Sequence, residues 1–417
     1  MKYIKALCFS IFILESCFGQ TLVKIESPAS VGISAKCLQL VQDSLRTYVD
    51  NGNLAGIQTA LIKDQKLIYF DNYGYASLAH QRKVDEHSLF RIFSMTKPIV
   101  SVALMQLYEA GKFDLNDPLS KFLPEFKQMQ VYNAQGKLVP SKRPIRIIDL
   151  LRHSSGVGYG NSQNQALNRL YQKANPRSAS SLKEMINILS TLPLAFEPGT
   201  NWEYGYSTDI CGYLIEVLSG MRLDEYLQKN IFGPLAMNST FFRVPKARLD
   251  DFTVGYGYEN GQLVVVDDPL KSRFTREITI LSGGGGLVST TLDYINFCKM
   301  LLNKGSFNGK QLIAPETLSL MTKDHTRPIL EYRKQLGFIP GETGFGLGFS
   351  IRSRKKDDDR GIYGWGGAVG TYFRIDPEKG AAYIMMIQRA PYRDLGLRNV
   401  FQNLIQNALD SCHKMVH

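Results

Sequence analysis

Residues 89–98 read Leu89-Phe90-Arg91-Ile92-Phe93-Ser94-Met95-Thr96-Lys97-Pro98, and the fold turns on how this stretch is read. Its first five residues have the content of a short extended segment. From Met95 to Ala110 the chain is apolar with helical spacing, so a strand-like segment runs into a helix at Ser94. Ser94 and Lys97 stand one helical turn apart and share a face. A serine hydroxyl is a weak nucleophile unless a nearby base takes its proton. At this position a backbone N–H of the helix N-terminus can face a developing oxyanion. A lysine buried there is expected to lose its proton near neutral pH.

The S-x-x-K pattern begins at Ser94, Ser180, Ser353 and Ser411, so spacing alone selects none of them. Ser411 lies in the tail, Ser353 in a charged turn, and Ser180 opens a surface helix in the manner of an N-cap. Only Ser94 joins an extended segment to an apolar helix. The other common route to an activated serine, G-x-S-x-G with acid and histidine partners, is closed because that pattern is absent from the chain.

Upstream, Ile57 to Ala76 alternates as a hairpin around Lys63-Asp64-Gln65. Downstream, the middle of the chain is helical and loop-rich. Its helix candidates are Ile145–Leu151, Leu182–Leu192, Thr208–Leu218 and Leu223–Ile231. Asn260-Gly261 marks a tight turn between Val254–Tyr258 and Gln262–Val266. Strands return at Phe345–Arg352, Gly361–Trp365, Thr371–Asp376 and Ala381–Gln388, before a closing helix over about Leu395–Leu409. Strands at both ends with helices between predict an α+β fold, an α/β sandwich. A central antiparallel sheet formed from both chain ends is flanked by helices and carries an inserted, mainly helical subdomain. The expected boundaries are about 30–110 and 275–410 for the sheet part and about 111–274 for the insertion.

Residues 1–19 read as an export signal. Lys2 and Lys5 precede the apolar run Ala6–Leu14, and Cys17-Phe18-Gly19 offers a cleavage site before Gln20. Leu14-Glu15-Ser16-Cys17 is also lipobox-like, which leaves open a lipid on Cys17 and association with the cell envelope. The expected location is secreted or periplasmic. Net charge is +11, but it is scattered, and its densest cluster, Arg352–Arg360, also holds Asp357, Asp358 and Asp359. No nucleic-acid-binding motif accompanies it, so nucleic acid is not an expected partner. The cysteines beyond the signal (Cys37, Cys211, Cys298 and Cys412) show no C-x-x-C spacing, and no H-E-x-x-H occurs. Neither a metal nor another cofactor is expected. Cys211 and Cys298 fall in apolar helical patterns and read as buried thiols. The sequence leaves the oligomeric state open.

Phe93-Ser94-Met95-Thr96-Lys97-Pro98 resembles the nucleophile motif of the serine β-lactamase and penicillin-recognising superfamily. The likeness is closest to its branch of class C β-lactamase-like esterases and transesterases. Further segments fall in the family's order from about 30 to 410. Leu150-Leu151-Arg152-His153-Ser154-Ser155-Gly156 is similar to its H-T-S-G segment. Phe196-Glu197-Pro198-Gly199-Thr200 with Trp202-Glu203-Tyr204 is similar to the approach to its second motif. Gly283–Gly286 with Leu287-Val288-Ser289-Thr290 is similar to its G-G-L-x-S-T stretch. That second motif is usually Y-x-N, and the matching tripeptide here is Tyr204-Gly205-Tyr206. The Y-x-N tripeptides at 159–161, 258–260 and 294–296 lie outside that approach and are set aside. The third motif, K-T-G, is matched by Trp365-Gly366-Gly367-Ala368, where an aromatic replaces the cation that helps bind a substrate carboxylate.

By this resemblance Ser94 is the nucleophile, and Lys97 and Tyr204 handle its proton. The N–H groups of Ser94 and Ala368 form the oxyanion hole, and Tyr206, Trp365, Gly366 and Gly367 bind substrate. His153 holds a turn. The implied function is a secreted serine hydrolase that cleaves carboxylic esters, or transfers acyl groups, through an acyl-enzyme on Ser94. Its substrate is a small-molecule ester or a peptide-like compound. Trp365 in place of lysine and Tyr206 in place of asparagine favour esters over β-lactams. Two alternatives stand beside this: a D-Ala-directed carboxypeptidase or weak β-lactamase of the envelope, and a non-catalytic envelope binding protein that retains the fold. The intact Ser94, Lys97 and Tyr204 count against the last.

Overall fold

The structure, a computed structural model, describes residues 23–133, 135–329, 343–355 and 358–411. The segment expected to be an export signal, residues 1–19 with Cys17, and Cys412 lie outside them. Eight strands form one antiparallel sheet. In spatial order they are Gly344–Phe345, Ser350–Ser353, Gly361–Gly366, Tyr372–Asp376, Ala381–Met386, Gly56–Lys63, Lys66–Ser77 and Arg82–Lys83. The first and last parts of the chain therefore meet where Gly56–Lys63 pairs with Ala381–Met386. The hairpin turn Asp64-Gln65 has positive φ at both residues, which matches the twist of the strands it joins.

Ala381–Met386 is buried at every position, the signature of a strand covered on both faces. Its side chains alternate: Ala381, Tyr383 and Met385 enter one core, and Ala382, Ile384 and Met386 enter the other. The first core is closed by the helices Ala35–Asp50 and Leu397–Ser411, which pack on each other. Helix Thr291–Leu302 crosses the opposite face, and beyond it lies the helical middle of the chain. Helix Thr96–Glu109 is buried at every residue from Thr96 to Met105. A helix apolar on all sides belongs in a core, and this one packs along helix Ser207–Ser219.

Several elements differ in detail from expectation. The strand expected at 345–352 is two short strands, because Gly348 takes φ +92 and a Cβ there would meet the Ser101 side chain at 2.2 Å. The cap of helix Leu182–Ser190 is Ser181, whose hydroxyl accepts from the Glu184 amide; Ser180 instead bonds the Glu184 carboxylate. Helix Leu223–Leu227 ends early and passes into a wider π turn over Gln228–Phe232. The stretch at 157–180 contains an unexpected helix, Gln165–Ala174, capped by Asn164. Cys211 and Cys298 are buried free thiols. Among the described residues no helix is long and apolar enough to cross a membrane.

Candidate active site

The segment before Ser94 is a two-residue strand, Phe90–Arg91, paired with Val288–Ser289 just after the glycine run. Phe93 then takes φ +42, a costly conformation for a bulky residue. The surroundings hold it there. The Phe93 ring packs edge-on against Phe274 at 5.7 Å. The Ile92 amide donates to the Leu287 carbonyl at 3.1 Å, the Leu287 amide donates to the Thr96 hydroxyl, and the Tyr294 hydroxyl donates to the Met95 carbonyl. Ser94 therefore sits, half-buried, on a turn braced from three directions.

Lys97 projects from the first turn of the helix into a closed environment and is 1% exposed. Its ammonium donates to the Gly284 carbonyl at 2.6 Å and the Tyr159 hydroxyl at 3.1 Å. It also lies 4.5 Å from the centre of the Tyr204 ring. Burial alone would push its pKa down. The Tyr159 and Tyr204 phenols and the Asp209 carboxylate outweigh burial and hold it above the usual lysine value. This direction is opposite to the expectation of a neutral Lys97 near pH 7. Its three polar surroundings favour the cation.

Tyr204 follows the Pro198-Gly199 turn, and two segments fix its place. The Glu203 amide donates to the His153 carbonyl, and the Gly199 amide to the Ser154 carbonyl. The hydroxyls of Ser155 and Ser207 bond each other at 2.8 Å. His153 itself has φ +58 and is enclosed by Trp202, Tyr204 and Phe345. Burial, with Lys97 nearby, pushes its pKa well below the ordinary histidine value, so the imidazole is neutral.

Trp365, Gly366 and Gly367 are not among the residues that line the cavity in front of Ser94. Trp365 is 6% exposed, and its indole N–H donates to the Tyr204 hydroxyl at 3.2 Å. A Cβ on Gly366 would run into Arg398, and one on Gly367 into the Ile92 carbonyl at 2.5 Å. These glycines allow the end of strand Gly361–Gly366 to lie against the nucleophile turn. Arg398 ties the loop down through the Gly367 and Thr371 carbonyls. Ala368 is thereby delivered to the cavity rim, exposed. The amides of Ser94 and Ala368 have no hydrogen-bond acceptor among the described residues.

The cavity has a volume of about 490 Å³, and Ser94, Tyr159, Tyr204, Tyr206, Asp209 and Ala368 are among its lining residues. Tyr159 belongs to a tripeptide set aside on sequence grounds, and the structure brings it into the site. Its ring stands 5.6 Å from Tyr204 and 4.6 Å from Tyr206. Burial raises its pKa more than the Lys97 cation lowers it, so this phenol keeps its proton. The available signal was its place three residues beyond the Ser154-Ser155-Gly156 segment. Of the other two tripeptides, Tyr294 is a buried brace beneath the nucleophile turn, and Tyr258 lies on the hairpin Gly255–Glu259/Gln262–Asp267.

Asp209 was missed by motif reading. Its carboxylate accepts from the Ser282 hydroxyl at 2.5 Å and the Gly284 amide at 3.0 Å. A Cβ on Gly284 would lie 2.4 Å from that carboxylate, and one on Gly283 2.5 Å from the Thr208 carbonyl. The glycine run is therefore clamped onto the start of helix Ser207–Ser219, and Gly284 can present its carbonyl to Lys97. Among the described residues no group of three His, Cys, Asp or Glu side chains is gathered as a metal ion would require.

The beta-lactamase family model matches residues 41–406. Protein Rv1367c of Mycobacterium tuberculosis is 31% identical over 363 residues, spanning 84% of this chain and 90% of that protein. EstCE1, described as a hydrolase with promiscuous acyltransferase activity, superposes with a TM-score of 0.74 at 22% identity, covering 89% of this chain and 98% of EstCE1. Simvastatin synthase LovD from Aspergillus terreus gives 0.76 at 22% identity, covering 91% and 98%. At that identity the two structures establish a shared fold.

Proposed function

The chain belongs to the beta-lactamase family, and from that premise we propose that it is an exported serine hydrolase cleaving carboxylic esters, or passing their acyl group to an alcohol, through Ser94. The observation that carries this reading is that Ser94, Tyr204 and Ala368 line one cavity beside the buried Lys97 cation.

The Ser94 oxygen attacks the ester carbonyl while its proton passes to Tyr204 in its phenolate form, whose negative charge the Lys97 cation balances. Two phenols flank Lys97, and Tyr204 is the better acceptor of the two. Its oxygen accepts from the Trp365 indole N–H, whereas burial keeps Tyr159 protonated. Lys97 serves as the fixed positive charge that offsets negative charge on the Tyr204 oxygen. The carbonyl oxygen becomes an oxyanion, which the unpaired amides of Ser94 and Ala368 suit. When it collapses, the bond to the leaving alkoxide breaks, and Tyr204 returns the proton to that oxygen. Water or a second alcohol then gives its proton to Tyr204 and attacks the acyl carbonyl; as the acyl–oxygen bond to Ser94 breaks, Tyr204 hands that proton to the departing Ser94 oxygen. The relatives described as a hydrolase with acyltransferase activity and as a synthase support both second steps. Export rests on the signal-like residues 1–19 and fits the disulfide at Cys37, a bond typical of oxidising compartments.

Intact-protein mass spectrometry after treatment with a fluorophosphonate probe tests the assignment. One adduct on the wild type and none on Ser94→Ala is expected. Absence of an adduct from both would leave a non-catalytic binding protein. Turnover of p-nitrophenyl butyrate above nitrocefin is expected, and the reverse order would favour the β-lactamase or D-Ala peptidase alternative.

A further inference from the structure

Two arginines line the same cavity, and neither is paired with a carboxylate among the described residues. Arg177 comes from the short turn Pro176–Ser178. Its guanidinium carbon lies 5.3 Å from the centre of the Tyr159 ring and 5.7 Å from that of Tyr206. Arg273 follows the hairpin Gly255–Glu259/Gln262–Asp267, and its guanidinium lies 4.7 Å from the Phe274 ring and 5.6 Å from Phe93. Each cation rests against aromatic rings that also form the cavity wall. Arg177 also reaches the Tyr206 hydroxyl, and a guanidinium carries more N–H donors than one such contact uses, leaving the others for an anion. Both side chains are exposed at the cavity mouth and close enough to feel each other's charge.

The carboxylates nearby are otherwise engaged or distant. Asp209 is 2% exposed and holds Ser282 and Gly284. Asp267 is bound by Arg91 at 2.6 Å. Glu277 lines the rim but forms no ion pair with either arginine. Two like charges at one cavity mouth repel each other, and Asp267 and Asp209 act on Arg273 without forming an ion pair with it, so an anionic ligand would relieve the repulsion further.

We infer that the substrate is an ester bearing an anionic group, a carboxylate or a phosphate, which Arg177 and Arg273 clamp while its carbonyl lies at Ser94. This rests on the hydrolase reading above. It places anion recognition on the wall formed by Tyr159, Tyr206, Phe93 and Phe274, away from Trp365, which occupies the position of the family's carboxylate-binding lysine.

The test compares kcat/KM for the p-nitrophenyl monoesters of glutarate and of 3-phosphonopropionate with that for neutral p-nitrophenyl butyrate, at low and high salt. At least one anionic ester should exceed the neutral one by about tenfold or more, falling with salt. The preferred anion identifies the group. In Arg177→Gln/Arg273→Gln the anionic-to-neutral ratio should drop by about tenfold or more, and Arg177→Lys/Arg273→Lys should restore part of it. The ratio is internal to each variant, so partial misfolding does not alter it. An unchanged ratio in the glutamine variant, or a wild-type preference for the neutral ester, overturns the clamp while leaving the hydrolase standing. No turnover of any ester together with no fluorophosphonate adduct overturns both.

Discussion

Replacing Trp365 by Phe isolates the contribution of a single N–H. The substitution keeps an aromatic ring between Tyr204 and Phe345, whose centres lie 5.4 Å and 5.2 Å from the indole. It removes the donor that reaches the Tyr204 hydroxyl at 3.2 Å. A hydrogen bond to a charged acceptor contributes about 1.5–3 kcal/mol. At 3.2 Å this one is at the long end of the normal range, so about 1.5 kcal/mol is the fitting figure, or roughly tenfold in rate. Tyr204 must be ionised to accept the Ser94 proton, and losing the indole N–H lowers the share of enzyme in that reactive form, so the loss should appear in kcat more than in KM. The assay is steady-state hydrolysis of p-nitrophenyl butyrate by wild type, Trp365→Phe, Tyr204→Phe and the double variant, with melting temperatures recorded alongside. Trp365→Phe should be slowed about tenfold in the wild-type background and be nearly silent when Tyr204 is already Phe. A rate within twofold of wild type, or an equal loss in both backgrounds, would refute the idea that the indole serves Tyr204.

Two further outcomes concern stability. One oxygen of Glu203 is buried without a hydrogen-bond partner, and burial raises its carboxyl from 4.5 to about 7. The folded state then holds this proton more tightly than the unfolded chain. The resulting stabilisation is complete below pH 4.5 and is lost as pH rises through about 7, a change of at most about 3 kcal/mol. Glu203→Gln should flatten the melting-temperature profile over that window and be the more stable protein at pH 8; identical slopes would rule this out. Asp149 is fully buried and accepts from Arg143, Arg152, Ser154 and the Arg146 amide. Asp149→Ala strands two guanidiniums and should cost about 3 kcal/mol in urea unfolding. A loss under 1 kcal/mol would show that water satisfies them readily.

The nucleophile turn was legible because its chemistry is local. Ser94 and Lys97 share a helical face by spacing alone, and the helix of 96–109 announces its burial by being apolar on every side. The central strands were legible for a similar reason, since Ala381–Met386 is apolar without interruption. The charge on Lys97 was not legible. Burial by itself predicts a neutral amine, and only the fold sets two phenols and a carboxylate against it. Nor was the task of Trp365, which aligns with a substrate-binding lysine and yet turns its N–H to a tyrosine 161 residues earlier in the chain.

What the sequence determined by itself was the family and the antiparallel sheet drawn from both chain ends, and it singled out Ser94, Lys97 and Tyr204 as candidates. Each of these rests on short-range pattern. The tertiary structure decided which tyrosines surround the lysine, which backbone amides are left unpaired, and which arginines stand at the cavity mouth. Those are contacts between segments far apart in the chain. Periodicity and spacing constrain only neighbours along the backbone, whereas the protonation and partners of a buried group depend on everything packed around it.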